Sequence, residues 1–436
     1  MPESQPLPAE NAANGVKQPQ KPRLLAVLGP GLITGASDDD PSGIATYSQA
    51  GAQFGYQMCW TLLFSWPLMC VIQEISARIG RVTGRGIAGV IKQHYPAPLL
   101  YGLVALLLVA NTINIGADLG AMAAAVQLVI GGPALAYLAI FAVGSVLLET
   151  FARYARYVSV LKWLTLSLFA YVGVALSVAV PWGEVAFSLV VPNLSFSAAS
   201  LTVVVAILGT TISPYLFFWQ AEEEVEDMKE RSGARPLARA PQQATTEFSR
   251  IRLDTWLGMG FSNIVALFIM ITAGATLNAH GITDIQTSAQ AAEALRPIAG
   301  PLVFVVFALG IVGTGLLALP VLAGSSAYAV GEALGWHVGL ARSFARAKGF
   351  YGVIALATAV GFALNYTGLD PVKALFWSAV VNGIVAVPVM VLMMHLGGRP
   401  QAMGVFTLPL PLKIGGWLAT AVMAAAAAGM FATWGT

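Results

Sequence analysis

The sequence predicts an all-α polytopic membrane protein, and its composition is the first reason. Of its 436 residues, 57% are hydrophobic and only 10% are charged, and the mean hydropathy is +0.73. A soluble domain carries about 25% charged residues, so this chain lies far outside the soluble class. The formal net charge of +2 gives no electrostatic reason to expect a nucleic-acid partner.

Eleven apolar segments, called spans 1 to 11, follow one another along the chain. Several are long enough to cross a hydrocarbon layer of ~30 Å, which needs ~20 residues. The spans are predicted at 24–54, 56–78, 98–130, 134–152, 157–180, 200–228, 251–278, 298–328, 350–367, 372–396 and 412–434. Residues 1–23 are rich in Pro, Gln, Ala and Asn, and we predict that they form a disordered cytoplasmic tail.

The distribution of positive charge supports this number of spans. With the N-terminus in the cytoplasm, every one of the 23 Lys and Arg residues falls on the cytoplasmic side except Arg296 and Lys373. An excess of Lys and Arg in cytoplasmic loops is the rule for membrane proteins, and a wrong number of spans would mix the two sides. We therefore predict a multi-pass protein of the plasma (inner) membrane, with its N-terminus inside and its C-terminus outside.

Spans 1 and 6 are each predicted to be interrupted. In span 1 three aspartates, Asp38–Asp40, precede Pro41, which disfavours helix at the residue before it. The helix is expected to stop near Asp38 and to restart near Ile44. Three carboxylates at mid-membrane are costly unless they line a cavity or bind a cation. In span 6, Gly209–Pro214 is a small polar run that ends in proline, and there a simple kink is an equally good interpretation.

The two interruptions lie five spans apart, and five is odd, so two five-helix halves must enter the membrane from opposite sides. We predict a first inverted repeat at 24–180, a second at 200–396, and an additional helix at 412–434. Interrupted helices at matching positions of inverted repeats are typical of secondary transporters with a midplane substrate site. The carbonyl groups freed at each break can coordinate a cation.

The order and spacing of short motifs resemble those of the Nramp (natural-resistance-associated macrophage protein) family of divalent metal transporters. The matching stretches are Gly29–Gly35, Asp40-Pro41, Ile72–Gly84, Ala117–Leu119, Pro214 and Lys413–Trp417. The resemblance covers nearly everything from Leu24 to Trp434. It implies the five-plus-five inverted-repeat fold of sodium-coupled amino-acid symporters, with a divalent cation as the transported substrate and without a cofactor.

The sequence carries no motif for an enzyme or for a nucleotide-driven pump. It has no P-loop, no H-E-x-x-H metal motif and no evident nucleophile–base pair. The expected partners are therefore a divalent cation and the lipid bilayer, without nucleotide or nucleic acid.

At both breaks the chain departs from the family pattern. The first break of the family usually reads Asp-Pro-Gly-Asn, whereas this chain reads Asp40-Pro-Ser-Gly43, so that Gly43 stands at the position of the asparagine ligand. The second break usually reads Met-Pro-His and here reads Ser213-Pro-Tyr215, without the thioether or the histidine. The resemblance implies that Ser37 and Thr210 still offer backbone carbonyls.

These departures predict a metal site made of oxygen. The candidate metal-binding residues are Asp40, Ser37, Gly43, Thr210 and Ser213, with Asp38 and Asp39 as further candidates. A soft thioether favours transition ions, whereas magnesium is a hard ion that prefers oxygen. We therefore expect uptake of magnesium, together with manganese, and the pattern resembles the Nramp-related magnesium transporter branch.

The residues that carry protons in the family are largely replaced. Asp118 in span 3 is kept, but Ala121 stands at the second acid, Asn111 at an earlier acid and Tyr215 at the histidine. Asn111, Asn114 and Asp118 fall at i, i+3 and i+7, hence on one helix face. This stripe is either a polar wall of the pathway or, for the two asparagines, a hydrogen-bond cluster between helices.

We expect a largely proton-uncoupled carrier. A proton-coupled manganese/iron symporter is the first alternative, and a cation channel is the second. Channels generally place acids or carbonyls around the axis of a symmetric oligomer, whereas the acids here lie at an internal break, which favours a monomeric carrier.

Overall fold

The computed structural model describes residues 34–35, 37–151, 165–231 and 233–434, and every regular element in these ranges is helical. The helices are α1 (Pro41–Phe54), α2 (Cys59–Thr83), α3 (Ile87–His94), α4 (Ala97–Ile130), α5 (Ala134–Phe151), α6 (Phe169–Ser177), α7 (Trp182–Val190), α8 (Ala198–Thr211), α9 (Pro214–Glu230), α10 (Ala244–Thr276), α11 (Ser288–Glu293), α12 (Arg296–Ala299), α13 (Val303–Leu334), α14 (Lys348–Leu364), α15 (Pro371–Gly398), α16 (Pro400–Met403) and α17 (Leu410–Ala432). Short 3-10 turns join several of them.

Span 1 is interrupted at the aspartates, as predicted. Asp38 is still helical, Asp39 and Asp40 are not, and α1 begins at Pro41. The restart predicted near Ile44 is three residues too late. Asp40 caps the helix by accepting from the Gly43 N–H, and proline is favourable at the first helical position because the missing N–H has no helical acceptor there.

Span 6 consists of two helices, α8 and α9, separated by Ile212 and Ser213. The Ser213 hydroxyl lies 2.5 Å from the Gly209 carbonyl oxygen and 2.9 Å from that of Thr210. It therefore donates to carbonyls at the end of α8, which lack an N–H donor because the helix does not continue. Pro214 then starts α9 at its first position.

Close helix packing holds the two interrupted helices in place. A Cβ at Gly51 of α1 would lie 2.2 Å from the Met270 carbonyl oxygen of α10, and a Cβ at Gly209 of α8 would lie 2.0 Å from the Ala379 carbonyl oxygen of α15. Only glycine permits such an approach of two backbones. The long helix α4 packs against α13, α14 and α15, so it faces the breaks from the other side.

The described ranges contain nine helices that are long and apolar enough to cross a membrane, or ten if the pair 166–177 and 182–190, bent by 116°, is one span. The predicted tail at 1–23 and the first parts of spans 1 and 5 (24–33 and 157–164) lie outside the described residues. The number of eleven spans, the orientation of the termini and the repeat boundaries 24–180 and 200–396 therefore stay predictions.

The predicted boundaries of spans 3, 4, 10 and 11 agree with the helices to within two residues. Spans 2, 7 and 8 differ more from their predicted boundaries: α2 continues to Thr83 rather than 78, α10 begins at Ala244 rather than at 251, and α13 ends at Leu334 rather than at 328. Hydrophobicity marks only the part of a helix inside the bilayer. Beyond it, the polar turns of α2 and α10 are held by ion pairs with each other and with α9.

Replacing Gly51 with alanine tests the close contact of α1 with α10. We expect Gly51→Ala to destabilise the protein by about 1–3 kcal/mol, because the added methyl group must separate two backbones. Gly102→Ala on α4 is the matched control, since nothing lies within 4 Å of its Cβ position. The midpoint of thermal unfolding in detergent should fall for the first variant only; equal midpoints would contradict the packing.

Candidate metal site

The two breaks meet at the carboxylate of Asp40, which is 1% exposed. Its Oδ1 accepts from the Gly43 N–H at 2.8 Å and from the Ser42 hydroxyl at 2.6 Å. Its Oδ2 lies 3.1 Å from Asn114 Nδ2 on α4 and 3.2 Å from the Tyr215 hydroxyl on α9. The N-terminus of α1, the middle of α4 and the first turn of α9 therefore converge on one buried carboxylate.

All four of these partners are neutral. Among the described residues, no Lys, Arg or His forms an ion pair with Asp40. A buried carboxylate that is hydrogen-bonded but not paired with a positive charge keeps a negative potential inside the membrane. Such a position is suited to a cation.

Further polar groups extend the site from Asp40 to both breaks. Asn114 Oδ1 accepts from the Ser378 hydroxyl of α15 at 2.6 Å, and the hydroxyl oxygens of Tyr47 and Thr210 are 2.6 Å apart. The Tyr215 hydroxyl also lies 3.5 Å from the Ser37 carbonyl oxygen. Sequence analysis placed Asn114, Thr210, Tyr215 and Ser37 near the site but missed Tyr47 and Ser378.

The signal for Tyr47 was present in the sequence. It lies seven residues after Asp40, hence on the same face of α1, and a buried tyrosine hydroxyl needs a polar partner. Ser378 had no such signal, because only the packing of α15 against α4 brings it to Asn114.

The neighbouring acids Asp38 and Asp39 have a different environment. The Ser262 hydroxyl of α10 lies 2.6 Å from Asp38 Oδ2 and 3.1 Å from Asp39 Oδ1. Asp40, in contrast, contacts groups on α1, α4 and α9. The described part of the chain contains no group of three His, Cys, Asp or Glu side chains placed to hold a metal ion. A cation at Asp40 would therefore depend mainly on neutral oxygen ligands.

Gly43 and Ser213 lie at the two breaks as the sequence placed them. The Gly43 N–H faces Asp40, so the group it presents to the carboxylate is a donor that orients it. The Ser213 hydroxyl proton is directed at carbonyls of α8, which leaves the oxygen lone pairs for another contact. Their assignment as metal-binding residues stays a prediction.

The stripe on α4 divides into three parts. Asn111 Nδ2 lies 2.9–3.0 Å from the Leu322 carbonyl and from the hydroxyls of Ser325 and Ser326 on α13, which is the hydrogen-bond cluster between helices. Asn114 belongs to the Asp40 site. Asp118 is fully buried, and both of its carboxylate oxygens lack a hydrogen-bond partner within the described ranges.

A cavity of about 470 Å³ opens between the ends of α1, α8, α15 and α17. Its lining includes Gln49, Asp284 and Lys373. Ala45 and Val372 line both this cavity and a small, largely apolar pocket next to it. Ile44, one helical turn from Asp40, and Ala121 also line this small pocket.

Ion pairs join α2, α9 and α10 at the end of the molecule away from this cavity. Arg81, which is fully buried, lies 3.1 Å from Glu247 and 3.6 Å from Asp227. Arg250 pairs with Glu224 and with Glu247. Two acids at the end of span 6, Glu224 and Asp227, are thus engaged in ion pairs with arginines of α2 and α10.

A helical fold with two interrupted helices around a buried acid defines a membrane transporter rather than an enzyme. Residues 31–433 match the family model described as natural resistance-associated macrophage protein-like, and the chain belongs to the Nramp family. It is 29% identical to the divalent metal cation transporter MntH of Burkholderia ambifaria, over 96% of this chain and 91% of the relative. It is 25% identical to MntH of Klebsiella pneumoniae, over 92% of each chain.

Solved structures share the fold. A crystal structure of the Eremococcus coleocola manganese transporter superposes with a TM-score of 0.70 at 17% identity, covering 92% of this chain and 85% of that one. The nucleobase-cation-symport-1 family transporter Mhp1 in a closed conformation gives 0.55 at 14% identity, covering 93% and 92%. The five-plus-five inverted-repeat fold with interrupted first and sixth helices is therefore confirmed.

Asp40→Asn separates the charge of this residue from its shape. Asparagine keeps an oxygen that accepts from the Gly43 N–H, so we expect the variant to fold and insert but to lose divalent cation uptake, since the negative charge is gone. Asp38→Asn and Asp39→Asn, on the side of Ser262, should retain more uptake. The measurement is metal uptake into proteoliposomes; full activity of Asp40→Asn would move the site to Asp38 and Asp39 or away from the break.

Proposed function

We propose that this protein is a secondary transporter that takes up divalent metal cations, magnesium and with it manganese, as a largely proton-uncoupled carrier. The observation that carries the proposal is the buried Asp40 carboxylate, whose partners among the described residues are all neutral. The relatives named as divalent metal cation transporters support the class of substrate.

The proposed ligands are all oxygens. They comprise the Asp40 carboxylate, the carbonyls of Ser37 and Thr210 and the Ser213 hydroxyl. Gly43 has no side chain and leaves space for the ion, and Asp38 and Asp39 add negative charge nearby. Neither a thioether nor an imidazole is among the hydrogen-bond partners of Asp40 in the described part of the chain. Such a donor set suits a hard cation and does not discriminate in favour of soft transition ions.

The geometry around Tyr215 supports uncoupled transport. Tyr215, at the position of the family's histidine, is a neutral donor to Asp40, and a tyrosine hydroxyl does not exchange protons at neutral pH. Asp118 is the one acid kept from the family's set on α4. Ala121, at the second acid position, lines a small, largely apolar pocket. A proton released from Asp118 thus has no evident titratable partner along α4.

The proton-coupled symporter is the second candidate, and Asp118 favours it. A buried acid with two unpartnered oxygens is a natural proton acceptor when no cation is near. A channel is less well supported, because Asp40 is buried. A closed site of this kind suits alternating access. We propose further that the carrier is monomeric and lies in the inner membrane with its N-terminus in the cytoplasm.

Ser213→Met tests the selectivity. Restoring a thioether at the second break should shift the preference from magnesium toward manganese or cadmium, because soft ligands favour soft ions. Ser213→Ala is the control, since it removes the hydroxyl without adding sulfur. Competition uptake in proteoliposomes gives the ratio of magnesium uptake to manganese or cadmium uptake. A wild-type protein that carries manganese but ignores millimolar magnesium would contradict the proposal.

Proton coupling is tested by the pH of the vesicle lumen during metal uptake, with the membrane potential clamped. We expect no stoichiometric acidification in the wild-type protein. Uptake should instead increase with an inside-negative potential, which contributes about 2.3 kcal/mol per charge per 100 mV. Asp118→Asn should leave the lumenal pH trace unchanged. A pH drop that follows metal entry and disappears in Asp118→Asn would favour the coupled symporter.

A further inference from the structure

Two glutamates, Glu222 on α9 and Glu332 on α13, meet where α3 begins. A Cβ at Gly86 would lie 1.9 Å from Glu222 Oε1 and 2.6 Å from Glu332 Oε2, so both carboxyl groups occupy the space beside one glycine. The two carboxyl groups are also in hydrogen-bond contact with each other. Glu222 is 2% exposed, whereas Glu332 is partly exposed. These two residues are called the carboxyl pair.

The carboxyl pair holds a proton. Two carboxylates are both acceptors, so a hydrogen bond between them requires that one of them is protonated. Two negative charges at such close range in a buried position also oppose the ionisation of both groups. Among the described residues, no Lys or Arg forms an ion pair with either glutamate. One shared proton therefore keeps the two groups together.

The hydrogen bonds of Glu332 indicate which member of the pair is charged. The Gly86 N–H donates to its Oε1 at 2.8 Å, and the Gly89 N–H donates to its Oε2 at 2.7 Å. These N–H groups lie at the N-terminus of α3, where they have no helical acceptor and carry partial positive charge. Glu222 Oε1, in contrast, has no hydrogen-bond partner among the described residues. Glu332 is thus the ionised member, and Glu222 carries the proton.

The other charged groups near the pair do not replace the proton. Lys229 pairs with Glu226 at 2.8 Å, and Lys92 lies 3.3 Å from the backbone carbonyl oxygen of Glu332 rather than from its carboxylate. The titratable groups that face the pair are Glu223, Glu226 and Lys229 on α9, Arg85 and Lys92 before and on α3, and Tyr328 on α13.

The face of α9 that carries Glu222 begins at the Asp40 site. Tyr215, Trp219 and Glu222 follow one another at intervals of four and three residues, hence on one face of the helix. The rings of Trp219 and Tyr328 on α13 meet edge to face, 6.4 Å apart. An aromatic contact and then the carboxyl pair therefore join α9 to α13 on the side of the site away from the outer cavity.

We propose that the carboxyl pair is a pH-sensitive latch, which holds α9 against α13 and α3 while the proton is bound and releases α9 when the proton leaves. The inference rests on the proposed function, because it assigns the latch to the cytoplasmic closure of the proposed carrier. Glu332 is partly exposed, so the proton can pass to water on that side and leave two carboxylates that repel each other. A proton that leaves and returns on the same side changes the rate of transport but is not itself transported.

Uptake rates at different pH test the latch. Manganese uptake is measured in proteoliposomes whose lumenal and external pH are equal and are raised together from about 6 to about 8, so that no proton gradient exists and the direction of insertion does not matter. We expect the wild-type rate to rise about threefold or more, because the open population increases. Glu222→Gln keeps a donor to Glu332 that cannot titrate, so its rate should stay at the acidic value. Glu226→Gln, one turn further along α9, is the matched control and should retain the rise.

Two further readouts do not depend on transport. In infrared difference spectra, the carbonyl band of a protonated carboxyl group should disappear as the pH rises in the wild-type protein and in Glu226→Gln, and this change should be absent in Glu222→Gln. The midpoint of thermal unfolding of the wild-type protein should fall over the same range, because the folded protein holds a proton that the unfolded chain releases. The midpoint of Glu222→Gln should change less.

The outcomes separate the latch from the proposed function. A wild-type rate that does not rise with pH, or a rise that persists in Glu222→Gln, would overturn the latch and leave the proposed function standing. A wild-type protein that carries no divalent cation at any pH would overturn the proposed function and the gating role together, whereas the infrared change would still decide whether the pair shares a proton. A pH-independent rate in Glu222→Gln together with loss of the infrared change would support the latch.

Discussion

The architecture depends on a buried carboxylate that has no counter-charge among the described residues. Asp40 interrupts span 1, caps α1 and receives hydrogen bonds from α4 and α9 as well as from its own turn. Holding an anion in an apolar interior is unfavourable unless several donors surround it, and here four neutral donors do so. Because these donors come from different helices, the same interaction that stabilises the anion also fixes the relative positions of the two interrupted helices.

Glycine and proline allow this convergence. Proline starts the second half of each interrupted helix at a position where it is favourable, and glycines at helix contacts let backbones approach so closely that any side chain would collide. Neighbouring helices then supply the polar groups: Ser262 for Asp38 and Asp39, and Asn114 and Ser378 for the Asp40 side. Three consecutive acids are thereby divided between two environments, only one of which faces both breaks.

The chemistry of the site follows from what replaces the family's soft and titratable groups. Serine and tyrosine at the second break are neutral oxygen groups, and Ala121 stands where the family has a second acid. The proposed site would therefore attract a cation by charge rather than select it by softness, and would offer few steps for a proton.

The sequence by itself determined the class of fold and the positions of both breaks, and it singled out Asp40 as the candidate metal-binding carboxylate at the first break. Composition, hydrophobic length and proline are local properties, and each has a direct physical effect on the chain that carries it. The polar ends of α2 and α10 and the contacts of Ser378 and Ser262 were decided only by tertiary structure, whereas the restart at Pro41 and the position of Tyr47 have local signals in the sequence. The same holds for the separation of Asp38 and Asp39 from Asp40, because it depends on which helix packs against each face of the break, and no local pattern encodes contacts between residues more than 200 positions apart.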